Sequence, residues 1–309
     1  GMAAISNTFM SLAAQGKNIV TSKHLFGNTY ALLVATLRRF GVKVRLRDLT
    51  NIKEVREAID DDTCCVFLEI LTNPQLEVAD LKAISEVAHE KNVPLVVDST
   101  VIPFTQFSAK NLGVDIEVVS SSKYVSGGAT SLGGLVIDYG TPYNGDFAKR
   151  LYGEMLFNFG AYMTPQVAYM QTIGLETLDA RYRVQSGNAL ELAKKLRTLP
   201  QIQYVNYVGL EDNPYHELAQ RQFGKTAGAM ICIDLESKEA CFSFLNNLKL
   251  IHRATNLFDN RSLAIHPAST IFGAFSENMR KSMDVKDTTI RLSVGLEDVD
   301  DLFEDIKQA

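Results

Sequence analysis

The 309-residue chain has no tryptophan, only four cysteines and five histidines, and no apolar run of the ~18 residues that a membrane-spanning helix requires. The cysteines, Cys64, Cys65, Cys232 and Cys241, form no CxxC pair and lie near no histidine at the spacing of a zinc site. We therefore expect buried free thiols and no bound metal. The first residues lack the basic segment and apolar stretch of a secretory signal, so we expect a cytoplasmic protein that does not bind membranes.

Charge of neither sign dominates the chain. The 31 Lys and Arg residues oppose 36 Asp and Glu residues, and the formal net charge of −5 argues against a nucleic-acid partner. Hydrophobic residues make up 46% of the sequence and charged residues 22%, a composition typical of globular rather than disordered proteins. The length suggests about two domains.

Three common catalytic or nucleotide-binding motifs are also missing. There is no GxSxG elbow for a hydrolase, no GxxxxGK[ST] loop for a nucleoside triphosphatase, and no GxGxxG after a strand for a dinucleotide. These absences disfavour all three classes of protein.

Apolar periodicity alternates between helix-like and strand-like segments in the first half of the chain. Helices are predicted at residues 3–14, 26–40, 52–59 and 81–91. Strands are predicted at residues 18–21, 42–46, 64–70, 95–98, 116–120 and 132–137. The continuous apolar run at 64–70 indicates a strand that is covered on both faces, and the alternation predicts an α/β fold with a mostly parallel sheet.

A long helix at 176–199 separates this half from a second, shorter α/β segment. Its strands are predicted at residues 203–208, 229–235 and 289–294, and its helices at 215–223, 239–248 and 299–307. We place a domain boundary near residues 174–176, which gives domains at 1–174 and 175–309.

Polar residues at the ends of predicted strands are the candidate functional residues, because ligands of open α/β sheets bind at the carboxyl ends of strands. Asp98 ends one strand, Asn73 follows another, and Lys123 follows a third. Alone, such an Asp commonly caps a turn and such a Lys is commonly solvated. Together, a Lys and an Asp are what pyridoxal phosphate needs for its Schiff base and its pyridine nitrogen. Ser120 and Ser122, with the start of the first helix, would supply donors for a phosphate.

The segment 115–128, DIEVVSSSKYVSGG, resembles the lysine signature of the Cys/Met-metabolism family of pyridoxal-phosphate enzymes. Further similar segments follow in the family's order: GMAA at 1–4, NP at 73–74, VDST at 97–100, HPAST at 266–270 and IRLSVGLE at 290–297. The resemblance covers the whole chain. It implies an aspartate-aminotransferase-like fold (fold type I) with a pyridoxal-phosphate-binding domain at 1–174 and a smaller C-terminal α/β domain.

The resemblance implies a role for each candidate residue. Lys123 would hold the cofactor as a Schiff base and move protons at Cα and Cβ of the substrate, while Asp98 would pair with the pyridinium nitrogen. The other implied cofactor contacts are Asn73 and Thr100 near the ring, Phe26 on its face, and Gly1, Met2, Ser120 and Ser122 at the phosphate. Arg291, with Ser262 nearby, would bind the α-carboxylate of an amino-acid substrate through its planar guanidinium.

The segments 24–29, 72–77 and 127–134 resemble the sulfhydrylase branch of the family. The implied reaction is γ-replacement on O-acetylhomoserine with sulfide or a thiol, which gives homocysteine or methionine. The alternatives are a methionine or cystathionine γ-lyase and a catalytically incompetent truncated homologue. The resemblance also implies a homodimer or homotetramer with active sites at the subunit interface.

Three departures from the family pattern affect these expectations. Ser122 stands where the family usually has threonine, and Phe26 stands where it often has tyrosine, so this side chain can stack but cannot exchange a proton. The sequence starts inside the family's phosphate-binding motif, and the tyrosine and arginine that reach a neighbouring subunit's phosphate lie outside it. We therefore expect weak cofactor retention.

Overall fold

The computed structural model describes residues 1–309 as two β-sheets surrounded by helices. The first sheet has six strands in the order β2-β1-β3-β4-β5-β6. Their bounds are β1 (Asn18–Ser22), β2 (Lys43–Arg47), β3 (Thr63–Glu69), β4 (Leu95–Asp98), β5 (Ile116–Val119) and β6 (Leu135–Asp138). All neighbouring pairs are parallel except β5 and β6, which confirms the predicted mostly parallel sheet.

Helices connect and follow these strands. In the first half they are α1 (Met2–Leu12), α2 (Gly27–Ala31), α3 (Ile52–Ala58), α4 (Leu81–His89), α5 (Phe147–Arg150), α6 (Phe157–Phe159) and α7 (Pro165–Glu176). A π-helical segment, Leu151–Leu156, joins α5 to α6. Helix α4 begins at Asp80, whose carboxylate accepts a hydrogen bond from the Ala83 N–H at 3.1 Å, as expected of an N-cap residue.

The second sheet has five strands in the order β7-β8-β11-β10-β9. Their bounds are β7 (Tyr204–Asn206), β8 (Met230–Asp234), β9 (His252–Arg253), β10 (Leu263–Ile265) and β11 (Thr289–Ser293). The helices of this half are α8 (Leu178–Leu196), α9 (His216–Phe223), α10 (Lys238–Asn247), α11 (Glu277–Ser282) and α12 (Val299–Gln308). Only β9 and β10 pair in parallel.

Strand β3 is buried on both faces, as its continuous apolar sequence predicts. Val66 and Leu68 belong to one hydrophobic core, and Cys65 and Phe67 belong to another on the opposite face. The larger of these cores continues into the second half of the chain and includes Leu192 of α8. The two sheets lie on either side of residues 174–176, and the division into domains 1–174 and 175–309 remains a prediction.

Two predicted elements differ from the structure. The helix predicted at 26–40 is α2 followed by a π-helical turn (Leu32–Thr36) and a 3-10 turn (Leu37–Phe40), because apolar spacing does not distinguish these pitches over single turns. The strand predicted at 132–137 starts only at Leu135. A Cβ on Gly133 would lie 2.4 Å from Gln171 Nε2, so this part of the chain is a loop packed against α7.

Sequence periodicity missed several short elements. These are the helical segments between Pro142 and Phe159, strands β9 and β10, and helix α11. Strands β9 and β10 are only two and three residues long, which is too short to show an alternating pattern.

All four cysteines are free. Cys65, Cys232 and Cys241 are buried, and Cys64 is partly exposed. No group of three or more His, Cys, Asp or Glu side chains is placed to hold a metal ion. None of the helices combines the length and the apolar character needed to cross a lipid bilayer.

Candidate active site

A cavity of about 680 Å³ lies at the carboxyl ends of β3, β4 and β5 and extends to strand β11 of the second sheet. This volume falls within the range of ligand sites. The cavity brings together nearly all the residues singled out in the sequence: Gly1, Met2, Phe26, Asn73, Asp98, Thr100, Ser120, Ser122, Lys123 and Arg291. They come from widely separated segments because parallel strands all end at the same edge of the sheet.

Hydrogen bonds between strand ends fix the segment that carries Lys123. The Ser120 N–H donates to Thr100 Oγ1 at 2.8 Å, which joins the end of β5 to the end of β4. The Thr100 N–H in turn donates to Asp98 Oδ1 at 2.9 Å. Asp98 and Lys123 therefore hold defined positions on one wall of the cavity.

The Lys123 side chain is directed into the cavity, where its Nζ donates to Asn256 Oδ1 at 2.5 Å. Burial and the nearby positive charge of Arg291 lower the pKa of the Lys123 amine to about 8. A larger fraction of this amine is neutral at physiological pH than of a surface lysine. The neutral amine is the form that acts as a base or nucleophile.

Two carboxyl groups lie side by side at the ends of β3 and β4. Glu69 and Asp98 are register partners in these parallel strands, and both line the cavity. Burial raises the pKa of Asp98, although hydrogen bonds from Thr100 oppose the rise. Burial and the charge of Asp98 raise the pKa of Glu69 well above its ordinary value. Of the two carboxyl groups, Glu69 therefore holds its proton more tightly.

Arg291 of β11 is only 2% exposed, yet its guanidinium reaches the cavity. One terminal nitrogen donates to Asn73 Oδ1 at 3.1 Å, and the other donates to the carbonyl oxygens of Thr255 and Asn256 at 3.3 and 3.1 Å. The Nε atom has no hydrogen-bond partner. Burial lowers the pKa of Arg291 to about 10, so the group remains a cation at neutral pH. No carboxylate of the chain pairs with it, which leaves it available to an anionic ligand.

Small residues and hydroxyl groups form the opposite end of the cavity. A Cβ on Gly1 would lie 2.6 Å from Ser120 Oγ, and a Cβ on Gly134 would lie 2.8 Å from the Ala4 Cβ. Ser122 Oγ accepts a hydrogen bond from the Gly133 N–H at 2.9 Å. The N-terminus of the 11-residue helix α1 lies at this end, and an anion there would meet its unpaired N–H groups.

Comparison with protein families agrees with this geometry. The family model described as Cys/Met metabolism PLP-dependent enzyme matches residues 1–309. The chain belongs to this family of pyridoxal-phosphate-dependent enzymes. The cofactor, the enzyme class and the role in sulfur amino-acid metabolism that the sequence predicted are confirmed. Like other family members, this enzyme acts on small-molecule amino acids.

Individual relatives cover nearly the whole chain. It is 38% identical to an L-methionine gamma-lyase of Fusobacterium nucleatum subsp. polymorphum over 100% of this chain and 77% of that protein. A solved O-acetylhomoserine sulfhydrylase of Wolinella succinogenes is 42% identical, with a TM-score of 0.88 over 99% of this chain and 88% of that one.

A second solved structure, of a Campylobacter jejuni protein described as an O-acetylhomoserine (thiol)-lyase, has a TM-score of 0.96 and 33% identity. The alignment covers 99% of this chain and 80% of that one, and that structure contains N'-pyridoxyl-lysine-5'-monophosphate. The predicted fold type I architecture is thus confirmed.

The residues of this family member fit the cofactor. The cavity contains a lysine whose amine is partly neutral, a buried aspartate, and hydroxyl and helix N-terminal donors. These groups match the aldehyde, the ring nitrogen and the phosphate of pyridoxal phosphate. Phe26 adds an apolar ring to the wall.

The prediction for Ser262 differs from the structure. Ser262 is buried outside the cavity lining, where its Oγ donates to Glu297 Oε2 at 2.8 Å and accepts from the Gly295 N–H at 2.8 Å. Both the donor and the acceptor capacity of the hydroxyl face the loop after β11. Ser262 therefore stabilises that loop, and the residues of the preceding segment that line the cavity are Thr255, Asn256 and Leu257.

Sequence reasoning missed six polar residues of the cavity: Asn28, Glu69, Ser131, Thr255, Asn256 and Thr270. Glu69 and Asn256 are the two that contact other proposed site residues. Glu69 is the last residue of an apolar strand, so the rule that identified Asp98 could also have identified it. Asn256 lies between β9 and β10, in a segment with no recognisable pattern. Its position follows only from the packing of the second sheet against the first.

Proposed function

We propose that this enzyme catalyses γ-replacement on O-acetylhomoserine, with sulfide or a thiol as the second substrate and homocysteine or methionine as the product. The observation that carries the proposal is the convergence of Lys123, Asp98 and Arg291 on one cavity whose lining in this chain includes no tyrosine, histidine or cysteine. The similarity to the O-acetylhomoserine sulfhydrylase of Wolinella succinogenes supports it.

The resemblance suggests the roles of the cofactor-binding residues, and their shared cavity supports it. Bound pyridoxal phosphate supplies an electron sink that acidifies the Cα–H and Cβ–H bonds of the substrate. Asp98 would keep the ring nitrogen protonated, and Asn73, Thr100 and Phe26 would contact the ring. The donors of Gly1, Met2, Ser120 and Ser122 would bind the phosphate.

Lys123 holds the cofactor and carries protons during the reaction. Once released from the cofactor, its amine has a pKa low enough to accept the Cα and then the Cβ proton. Asn256 accepts a hydrogen bond from Nζ, so the side chain keeps its direction instead of sampling free rotamers.

Arg291 binds the α-carboxylate of the amino acid. Its two terminal nitrogens are held by Asn73 and by the carbonyl groups of Thr255 and Asn256, which fixes the plane of the guanidinium. The unpartnered Nε and the remaining N–H donors of the buried cation face no competing carboxylate of this chain. A buried cation of this kind binds a carboxylate with charge-assisted hydrogen bonds.

The leaving group distinguishes a sulfhydrylase from a lyase. Acetate is a weak base, whereas a thiolate is a stronger one, since ordinary carboxylic acids have pKa values of about 4 and thiols of about 8.5. A thiolate therefore depends more on a proton donor as it leaves. Phe26 cannot donate a proton, and no phenol or imidazole of this chain lines the cavity. The part of the cavity that this chain forms therefore favours release of acetate over release of a thiolate.

The charge of the cavity favours an acetyl over a succinyl ester. Lys123 and Arg291 are the cationic side chains of this chain in the lining, and both already have partners in the proposed reaction. The distal carboxylate of a succinyl group would be desolvated without a counter-ion. A neutral acetyl group avoids this cost.

The test combines a spectrum with product analysis. We expect the purified protein to show the absorbance of the lysine-bound cofactor in the presence of pyridoxal phosphate and to lose part of it on desalting, and Lys123→Ala to show none. Lys53→Ala, at an exposed lysine, is the control. With sulfide, O-acetylhomoserine should yield homocysteine faster than O-succinylhomoserine does. Rapid formation of α-ketobutyrate from methionine would instead identify a lyase, and a folded protein without cofactor absorbance would identify an incompetent homologue.

The enzyme is also proposed to be a homodimer or homotetramer. An apolar surface lies on the segment 151–175, where Phe157 is 63% and Tyr169 68% exposed. Exposed apolar clusters of this kind are typical of subunit interfaces. The surface adjoins the cavity, because the Gly133 loop next to Ser122 packs against Gln171 of the same segment. A second copy bound there would cover the cavity entrance.

A further inference from the structure

We propose that Glu69 is a positioning residue of this enzyme. Its buried carboxyl group fixes the positions of Phe26 and Asn73, and through them those of the cofactor ring and Arg291. The inference rests on the roles proposed above for Phe26 and Arg291. It assigns a function to a carboxyl group that the proposed reaction leaves unused.

The first contact of Glu69 is with the segment before α2. The Phe26 N–H donates to Glu69 Oε1 at 2.5 Å, and Phe26 is the residue from which α2 starts. Phe26 has no side-chain acceptor of its own to cap this helix. The hydrogen bond from its amide to a side chain at the end of β3 therefore sets where the aromatic ring enters the cavity.

Glu69 is also close to the loop after its own strand. Asn73 lines the same cavity four residues further along the chain, and its N–H opposes the rise of the Glu69 pKa. The Asn73 side chain then accepts a hydrogen bond from Arg291 at 3.1 Å. The carboxyl group of Glu69 thus connects Phe26, which is proposed to stack on the cofactor ring, to Arg291, which is proposed to bind the substrate carboxylate.

The interaction with the neighbouring Asp98 explains why the carboxyl group of Glu69 can be buried at the end of β3. Two ionised carboxylates on adjacent strands of a buried sheet would repel each other strongly. The charge of Asp98 raises the pKa of Glu69, so Glu69 holds its proton more tightly than Asp98 does, and Asp98 is the carboxyl group that would face a pyridinium. A neutral acid still accepts hydrogen bonds from backbone amides, so the positioning role does not require ionisation.

Substitution by glutamine and by alanine separates hydrogen bonding from charge. Glu69→Gln keeps an acceptor oxygen and a neutral group, and we expect its Kd for pyridoxal phosphate to stay within about threefold of the wild-type value. Glu69→Ala leaves the partly buried Phe26 amide without its acceptor, and we expect this Kd to rise about tenfold. The KM for the amino-acid substrate should rise as well, because Asn73 no longer holds Arg291.

A readout of cofactor geometry excludes a merely structural effect. The circular dichroism of the bound cofactor in its own absorption band reports the orientation of the ring, and it should change in Glu69→Ala but not in Glu69→Gln. The matched control is Glu117→Ala. Glu117 is also a buried acid of this sheet, but it pairs with Ser99 and Tyr139 and does not line the cavity. This variant should lower the midpoint of thermal unfolding and leave the cofactor spectrum unchanged.

Three other outcomes would contradict the roles proposed for Glu69 or Phe26. Wild-type Kd, KM and dichroism in Glu69→Ala would refute the positioning role. Equal losses in Glu69→Gln and Glu69→Ala would show that an ionised carboxylate is needed, which also contradicts it. If Phe26→Ala, measured in parallel, keeps full cofactor affinity, the stacking role under the proposed function is wrong, and that failure is distinct from a failure at Glu69 alone.

Discussion

Lys123 Nζ donates a hydrogen bond to Asn256 Oδ1 across 133 positions of sequence, and the two residues belong to different halves of the chain. This contact joins the end of β5 in the first sheet to the loop between β9 and β10 near the second. The amine that is proposed to move protons is therefore directed by a residue that the other half of the protein supplies.

Asn256→Ala should reduce turnover more than substrate binding. Without its acceptor the released Lys123 amine samples other rotamers, so we expect kcat to fall about tenfold, while KM changes less. Steady-state kinetics with O-acetylhomoserine and sulfide measures both constants. Asn256→Asp keeps an acceptor and should recover part of the loss. An Asn256→Ala enzyme with wild-type kcat would contradict this role.

Uptake of the cofactor by the apoprotein should depend on pH. Only the neutral Lys123 amine attacks an aldehyde, and its pKa of about 8 means that this form becomes scarce below that pH. We expect the uptake rate at fixed pyridoxal phosphate to fall about tenfold per pH unit below the pKa and to level off above it. Stopped-flow absorbance measures the rate. A rate that continues to rise well above pH 8 would show that the pKa of the amine is not lowered.

Phe26→Tyr should increase lyase activity relative to sulfhydrylase activity. The new phenol sits on the cavity wall and can donate a proton to a departing thiolate, while acetate release needs no such help. The measurement is the ratio of α-ketobutyrate formed from methionine to homocysteine formed from O-acetylhomoserine. Phe26→Leu, which adds no proton donor, is the control. An unchanged ratio in Phe26→Tyr would mean that the phenol does not reach the leaving group.

Polar substitutions on the 151–175 surface should dissociate the oligomer. We expect the double variant Phe157→Ser and Tyr169→Ser to shift the molar mass towards that of a monomer in light scattering after gel filtration. Phe40→Ser is the control, because Phe40 is 65% exposed but lies outside this segment. A wild-type protein that is monomeric at all concentrations tested would refute the proposed interface.

His24 should make stability depend on pH. Burial lowers the pKa of His24, but hydrogen bonds and charges from Glu77 and Asp284 outweigh it and raise the pKa above its ordinary value. The group thus binds its proton more tightly in the folded state. Its contribution is complete below the unfolded pKa of about 6.5 and is lost as pH rises through the folded pKa.

The effect of His24 should be small, because Asp284 is largely exposed to solvent. The unfolding free energy of the wild type should decrease between about pH 6 and about pH 9. We expect this decrease to be smaller in His24→Gln, by no more than about 1 kcal/mol. Urea denaturation at the two pH values measures it. A loss that is the same in variant and wild type would assign the pH dependence to other groups.

The sequence alone determined the mostly parallel sheet, the cofactor and ten of the 22 residues that line the cavity. A strand such as β3 is recognised by its continuous apolar run. Asp98 and Lys123 are recognised because they lie at or after the ends of strands. Both signals are local properties of the sequence. Only the tertiary structure placed Asn256 in the cavity, moved Ser262 out of it and paired Glu69 with Asp98. Those relationships depend on sheet register and on the packing of one sheet against the other, and long-range contacts of this kind leave no periodic signal in the sequence.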